Sequence, residues 1–80
     1  LRATVPRVEN RGNLLTLRVT GGEEGAAVEV GYTFSVYSGG SLNAIATVTE
    51  VYSDGITAFC TYQVAPGTSG PSVGDGARTK

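Results

Sequence analysis

Apolar and polar residues alternate through Leu15-Thr16-Leu17-Arg18-Val19-Thr20, the period of a strand with one buried face. Leu15, Leu17 and Val19 are expected to face a core. The same period recurs in Tyr32-Thr33-Phe34-Ser35-Val36-Tyr37, where Phe34 and Val36 point inward with Tyr32 on their side. Between Leu42 and Tyr52, Ala44, Ala46 and Val48 share one phase, but Glu50 would carry that phase into the interior, whereas Val51 fits the opposite one. A bulge or strand end is therefore predicted near Thr49-Glu50. Ile56 to Val64 supplies another strand, with Ala58, Cys60 and Tyr62 on one face. Near the start, Thr4 to Glu9 carries Val5 and Val8 around Pro6, which lacks a backbone donor and so suggests an edge or a strand start. No long window has apolar residues at helical spacing behind a capping residue, so any helix is a single turn.

The segments between these runs are rich in turn formers. Asn10-Arg11-Gly12-Asn13, Gly21-Gly22-Glu23-Glu24-Gly25 and Ser53-Asp54-Gly55 read as turns, with the short Asp54 side chain bonding backbone amides. Ser38-Gly39-Gly40-Ser41 reads as a tight hairpin, because glycine enters the positive φ of a primed turn without a Cβ clash. The structural turn glycines are thus Gly25, Gly31, Gly39, Gly40, Gly55 and Gly74. Residues 66–72 form a loop. Composition alone extends that loop to the end of the chain, but an internal echo opposes it. Val73-Gly74-Asp75-Gly76-Ala77-Arg78-Thr79 repeats the layout of Val30-Gly31-Tyr32-Thr33-Phe34-Ser35-Val36: valine, glycine turn, strand. On that reading 73–80 is a strand that closes a curved sheet.

These elements add up to an all-β fold, a small SH3-like or related antiparallel barrel of five or six strands, occupying 1–80 as one domain. Its expected core is Val5, Leu15, Leu17, Val19, Val30, Phe34, Val36, Ala46, Val48, Val51, Ala58 and Cys60.

Composition narrows the chemistry. The 80 residues carry six basic and seven acidic side chains, net charge -1, so the chain lacks the strong positive field that draws a protein onto phosphates or anionic lipid. With no histidine and a single cysteine, the common zinc ligand sets and every Ser-His or Cys-His nucleophile pair are excluded. Cys60, with no nearby cation in sequence, reads as a small buried hydrophobe. One cysteine leaves the redox compartment open. Adjacent Glu23 and Glu24 read as a solvated loop, and the glycines around them lack the lysine and hydroxyl residue of a phosphate-binding loop. Nothing approaches the roughly 20 apolar residues of a membrane-crossing helix. No catalytic, cofactor-binding or metal residue is assigned. The chain begins at Leu1 without a methionine or a signal-peptide layout, so it is expected to be a piece of a longer protein.

Six aromatic residues and six basic ones leave a nucleic-acid-binding barrel as a rival reading, in which Arg7, Arg18 and Arg78 form a small basic patch if the two ends lie side by side. A further alternative is an accessory domain of an enzyme whose catalytic part lies elsewhere.

A resemblance runs over nearly the whole chain. Asn13-Leu14-Leu15-Thr16-Leu17 before a glycine turn, the run from Val28 to Tyr37, the Gly39-Gly40 hairpin, Val48-Thr49-Glu50-Val51-Tyr52 and Pro71-Ser72-Val73-Gly74-Asp75 follow one another in a familiar order. In this the chain resembles the small C-terminal β-barrel of bacterial, planctomycete-like coiled-coil envelope proteins, and is similar to the C-terminal domain of the flagellar assembly protein T family. It departs from that pattern at Tyr32, where aspartate is usual, and at Ala77, where a larger apolar residue is. The resemblance implies a compact barrel after a helical segment, a setting in the bacterial envelope or periplasm, a role in assembly or scaffolding, no catalytic residues, and a Val73-Gly74-Asp75 segment that belongs to the fold. The expected function is therefore a non-catalytic protein-protein interaction or assembly module, recognising a protein partner or a second copy through strand edges and loops.

Overall fold

A computed structural model describes residues 1–22 and 26–79. Six strands form a closed antiparallel barrel: β1 (Arg2–Glu9), β2 (Leu14–Gly21), β3 (Thr33–Ser38), β4 (Ser41–Val51), β5 (Thr57–Val64) and β6 (Gly76–Arg78). Around the barrel the order is β1-β2-β5-β4-β3-β6, with β6 returning to β1. Each strand thus has two neighbours. The alternation seen in sequence becomes an inside and an outside: Leu15, Leu17, Phe34, Val36, Ala46, Val48, Ala58 and Cys60 are buried, as is Tyr62. Val5 joins them, while Val19 and Val51 are half-buried against the cluster.

Of four register slips, one leaves Thr20 as the extra residue between the Arg2–Gly21 and Ala3–Val19 pairs, and the other three make these phases compatible. Between Thr4 and Arg7 the β1–β2 register slips by one residue, which lets β1 pass Pro6 where no ladder donor is available. Pro6 therefore sits at a bulge inside the strand rather than at an edge or start. On β4 the slip between Val48 and Glu50 moves Glu50 to the exterior and returns Val51 to the interior side, as the sequence pattern required. Thr49, the extra residue, donates its hydroxyl to the Phe59 carbonyl at 3.1 Å. A third bulge, at Asn43 between the Val36–Ala44 and Tyr37–Leu42 pairs, has no sequence signal.

Two expectations fail near the start of β3. Val30 is 64% exposed, and Tyr32 lies outside the core with its hydroxyl donating to Glu29 Oε2 at 2.9 Å. Both precede β3 in a turn, where the inward-outward period of a strand does not apply. Val28 fills the corresponding core position.

That turn has a double. In Glu29-Val30-Gly31-Tyr32 the Tyr32 amide donates to the Glu29 carbonyl at 3.2 Å with Gly31 at φ +95°. In Ser72-Val73-Gly74-Asp75 the Asp75 amide donates to the Ser72 carbonyl at 3.1 Å with Gly74 at φ +97°. Glycine third in such a turn is the type II requirement. Each turn then docks on one buried valine through two backbone bonds. Gly31 N donates to Val48 O and Val48 N to Tyr32 O, while Gly74 N donates to Val5 O and Val5 N to Asp75 O. The sequence echo is thus a structural repeat, and the strands it launches, β3 and β6, pair antiparallel.

The repeat differs at its fourth residue. Asp75 is 6% exposed, and its Oδ2 accepts from the Ser72 amide at 2.9 Å and from Asn43 Nδ2 at 3.3 Å. The Asn43 bulge turns that amide toward the carboxylate, and the Asn43 carbonyl accepts from Ala65 N and the Thr68 hydroxyl. One carboxylate thus joins β4, the 66–72 loop and the turn into β6. The segment 73–79 closes the barrel and is no tail.

Of the predicted turn glycines, Gly31, Gly39, Gly40, Gly55 and Gly74 all have positive φ. Gly25, like Glu23, Glu24 and Lys80, lies outside the described residues. Ser38 pairs with Ser41 across the two-residue Gly39-Gly40 hairpin.

Replacing Asp75 by Ala removes the shared acceptor of two part-buried hydrogen bonds, a loss of about 1–3 kcal/mol. Thermal unfolding followed by circular dichroism should show a Tm lower by about 4–8 °C for each kcal/mol lost. A Tm equal to that of the parent would show that closure does not depend on this carboxylate.

Candidate functional site

The interior is filled by side chains, so what the barrel can recognise lies on its outer face. Outward residues form rows across the strands. One row runs Arg7, Thr16, Phe59, Glu50 over β1, β2, β5 and β4, and the next runs Glu9, Leu14, Thr61, Thr47, Thr33 on to β3.

The first row borders a groove of about 380 Å³, lined by Arg7, Glu9, Leu14, Thr16, Thr49 and Phe59 and floored by Leu15 and Cys60. Its centre is apolar. Leu14 is 42% exposed, and Tyr52, 55% exposed, stands edge-on to Phe59 with ring centroids 6.2 Å apart and an interplanar angle of 83°. That edge-to-face geometry suits the ring quadrupoles and holds both rings in place. On the rim, Arg7 Nη2 meets Glu9 Oε1 at 2.6 Å, an exposed ion pair between residues two apart on β1. Exposed pairs of this kind contribute little to stability, so its consequence here is to orient the rim.

At the near end of this face, Asp54 terminates the β4–β5 connection. Its Oδ1 accepts from the Ile56 and Thr57 amides at 2.9 and 2.8 Å, and its Oδ2 from the Thr57 hydroxyl at 2.7 Å. The Thr57 bonds, then the Ile56 amide, hold its carboxyl below the ordinary carboxylate value. Asp54 is the turn former that the sequence indicated, and its side-chain oxygens are occupied by the turn.

A second groove, of about 370 Å³, lies across β2, β1, β6 and β3, with Arg2, Thr20, Tyr37 and Arg78 on its sides and Gly76 and Ala77 on its floor. The chain ends meet beside it: the Leu1 amino group donates to Thr79 Oγ1 at 2.7 Å, and the Thr79 amide to Leu1 O at 2.9 Å. The condition for a basic patch is met, but its members change. Arg7 is engaged by Glu9 and Arg18 bears on Asp54, whereas Arg2 is the register partner of Arg78. Nothing in the sequence places positions 2 and 78 opposite one another; that follows from register alone.

Cys60 is 1% exposed, and burial pushes its thiol up to about 12 from an ordinary 9.0. It serves as a small hydrophobe beneath the first groove. Among the described residues, no three His, Cys, Asp or Glu side chains gather as a metal site. Among the described residues no helix is long and apolar enough to cross a membrane. Compared with protein-family models, curated proteins and solved structures, the chain finds no match in any of the three.

The Cys60 thiol has a definite signature. Its native pKa lies above the unfolded value, so stability is full below about pH 9 and falls as pH rises toward 12, where the unfolded chain alone is ionised. The expected slope is up to about 1.4 kcal/mol per pH unit. Urea unfolding at successive pH values should show that slope, and Cys60→Ala should lack this part of it. Equal slopes in parent and variant would contradict the burial argument, as would rapid labelling of the native thiol by an aromatic disulfide reagent at pH 8.

Proposed function

We propose that this chain is a non-catalytic binding and assembly module of a larger protein, and that it contacts a protein partner through the first groove. The observation that supports this most is the apolar surface of Leu14 and Phe59 in the groove, with the exposed Tyr52 ring edge-on to Phe59 beside it and Thr16, Thr49 and the Arg7–Glu9 pair around it. An aromatic centre in a polar rim is the usual anatomy of a protein interface. Exposed aromatic side chains held by their neighbours also lose little freedom on binding.

Closure of the barrel changes the route of recognition expected from sequence. With every strand paired on two sides, addition of a partner strand to a sheet edge gives way to docking on a face. An envelope setting follows only from the resemblance described above, and belongs to this proposal in the same degree. The accessory-domain reading is compatible with the same face, since such a domain also works by contact.

A photo-crosslinking amino acid placed at Thr16 in the intact protein, in its own cells, should give one discrete adduct band. Placed at Ser69, an exposed residue of the 66–72 loop, it should give none. Tyr52→Ala should diminish the Thr16 adduct by about tenfold if the ring is an anchor of the interface. Adducts of equal yield from Thr16 and Ser69, or none from either, would overturn the proposal.

A further inference from the structure

The second groove has a charge arrangement that the fold itself does not explain. Arg2 and Arg78 are direct partners across β1 and β6. Like charges placed opposite one another on a sheet are destabilising. Among the described residues neither guanidinium meets a carboxylate, the one such ion pair being Arg7–Glu9.

The two side chains relieve their repulsion by turning apart. Arg2 folds over Gly21, where a Cβ would come within 2.8 Å of Nη2, so the glycine makes room for it. Arg78 lies over the Tyr37 ring, its guanidinium carbon 4.7 Å from the centroid. Gly76 lines the same groove two residues before Arg78 on β6, opposite Tyr37 and Thr4, and a Cβ built there would meet nothing within 4 Å. The result is an open channel with a cation on each wall, an aromatic ring under one of them, and the Thr20 hydroxyl at its side.

We propose that this groove docks an acidic, extended segment of a protein partner, its carboxylates meeting Arg2 and Arg78 and its backbone passing over Gly76. A guanidinium presents paired donors that match a carboxylate, and an acidic segment crossing the groove gives each of the two a charge-assisted contact. A polyphosphate chain fits less well. It draws its affinity from many cations along its path, whereas among the described residues this groove offers two, on a chain of net charge -1. The groove is separate from the face carrying Phe59, so this proposal goes beyond the first and does not rest on it.

The test uses a capped octapeptide with alternating Asp and Glu, its Asn/Gln counterpart, a ten-nucleotide oligothymidylate and inorganic phosphate, each titrated into the protein by calorimetry at low and high salt. The acidic peptide should bind, weaken with salt, and outcompete the other three. Arg2→Gln and Arg78→Gln should each weaken it by about tenfold. Gly76→Val keeps both charges but fills the channel, and should weaken it at least as much. The variant should fold, since the added Cβ enters open space and valine suits a strand. Tyr52→Ala, on the other face, should leave this affinity unchanged, so the two proposals fail separately. Several results would overturn the inference: no binding by the acidic peptide, equal binding by the neutral one, or an unaltered affinity in Gly76→Val. Tighter binding by the oligonucleotide would replace the peptide with nucleic acid, and equal competition by phosphate would reduce the groove to a general anion site.

Discussion

The closing of this barrel depends on how a three-residue strand is held. β6 is too short to dock by its own ladder, and it is fixed by the turn before it, where Gly74 and Asp75 form a backbone pair with Val5 and the Asp75 carboxylate reaches Asn43 and Ser72. A buried carboxylate without partners would be costly, but here two donors are aimed at it. The same contacts bring loop 66–72 against β4, which seals one end of the interior. The outer grooves then inherit their positions. With β6 in place, Arg78 is opposite Arg2 and Gly76 floors a channel; without it, β1 and β3 would each carry a free edge.

Bulges decide which side chains reach the surface. The extra residue at Thr49 moves Glu50 outward and sets Phe59 beside Thr49 on the same face. The slip around Pro6 brings Arg7 opposite Thr16, so the Arg7–Glu9 pair borders the apolar centre at Leu14 and Phe59. The Asn43 bulge acts on the other side of the structure, aiming an amide at Asp75. Each is a one-residue insertion with a local cause, and together they turn a regular alternation into two distinct faces. One face offers aromatic and aliphatic surface inside a polar rim, the other two cations beside a tyrosine ring. Both suit recognition by contact, and the two would not compete for the same partner segment.

Much of this was legible in the chain. Alternation placed Leu15, Leu17, Phe34, Val36, Ala46, Val48, Ala58 and Cys60 inside because a strand has a strict two-residue period and the core excludes water. The conflict between Glu50 and Val51 announced a bulge, since a carboxylate does not enter an apolar interior unpaired. The valine-glycine echo led to the closing strand, because both copies need the same positive φ. The misplacement of Val30 and Tyr32 has the opposite cause: a turn breaks the period, and hydrophobicity alone does not mark where the break begins. Neither groove could be read in advance. Arg2 with Arg78, Leu14 with Phe59, and Asn43 with Asp75 are distant in sequence, and their meeting follows from register.

Local chemistry, then, determined the all-β class, the strands, the turn glycines and most of the inward-facing residues, because each depends on neighbours a few positions away. Tertiary structure alone decided the order in which the six strands pair around the ring, that Asp75 is buried and bonded, and which outward side chains share a groove. Those outcomes depend on pairing between distant segments, where a slip of one residue moves a side chain from the interior to solvent.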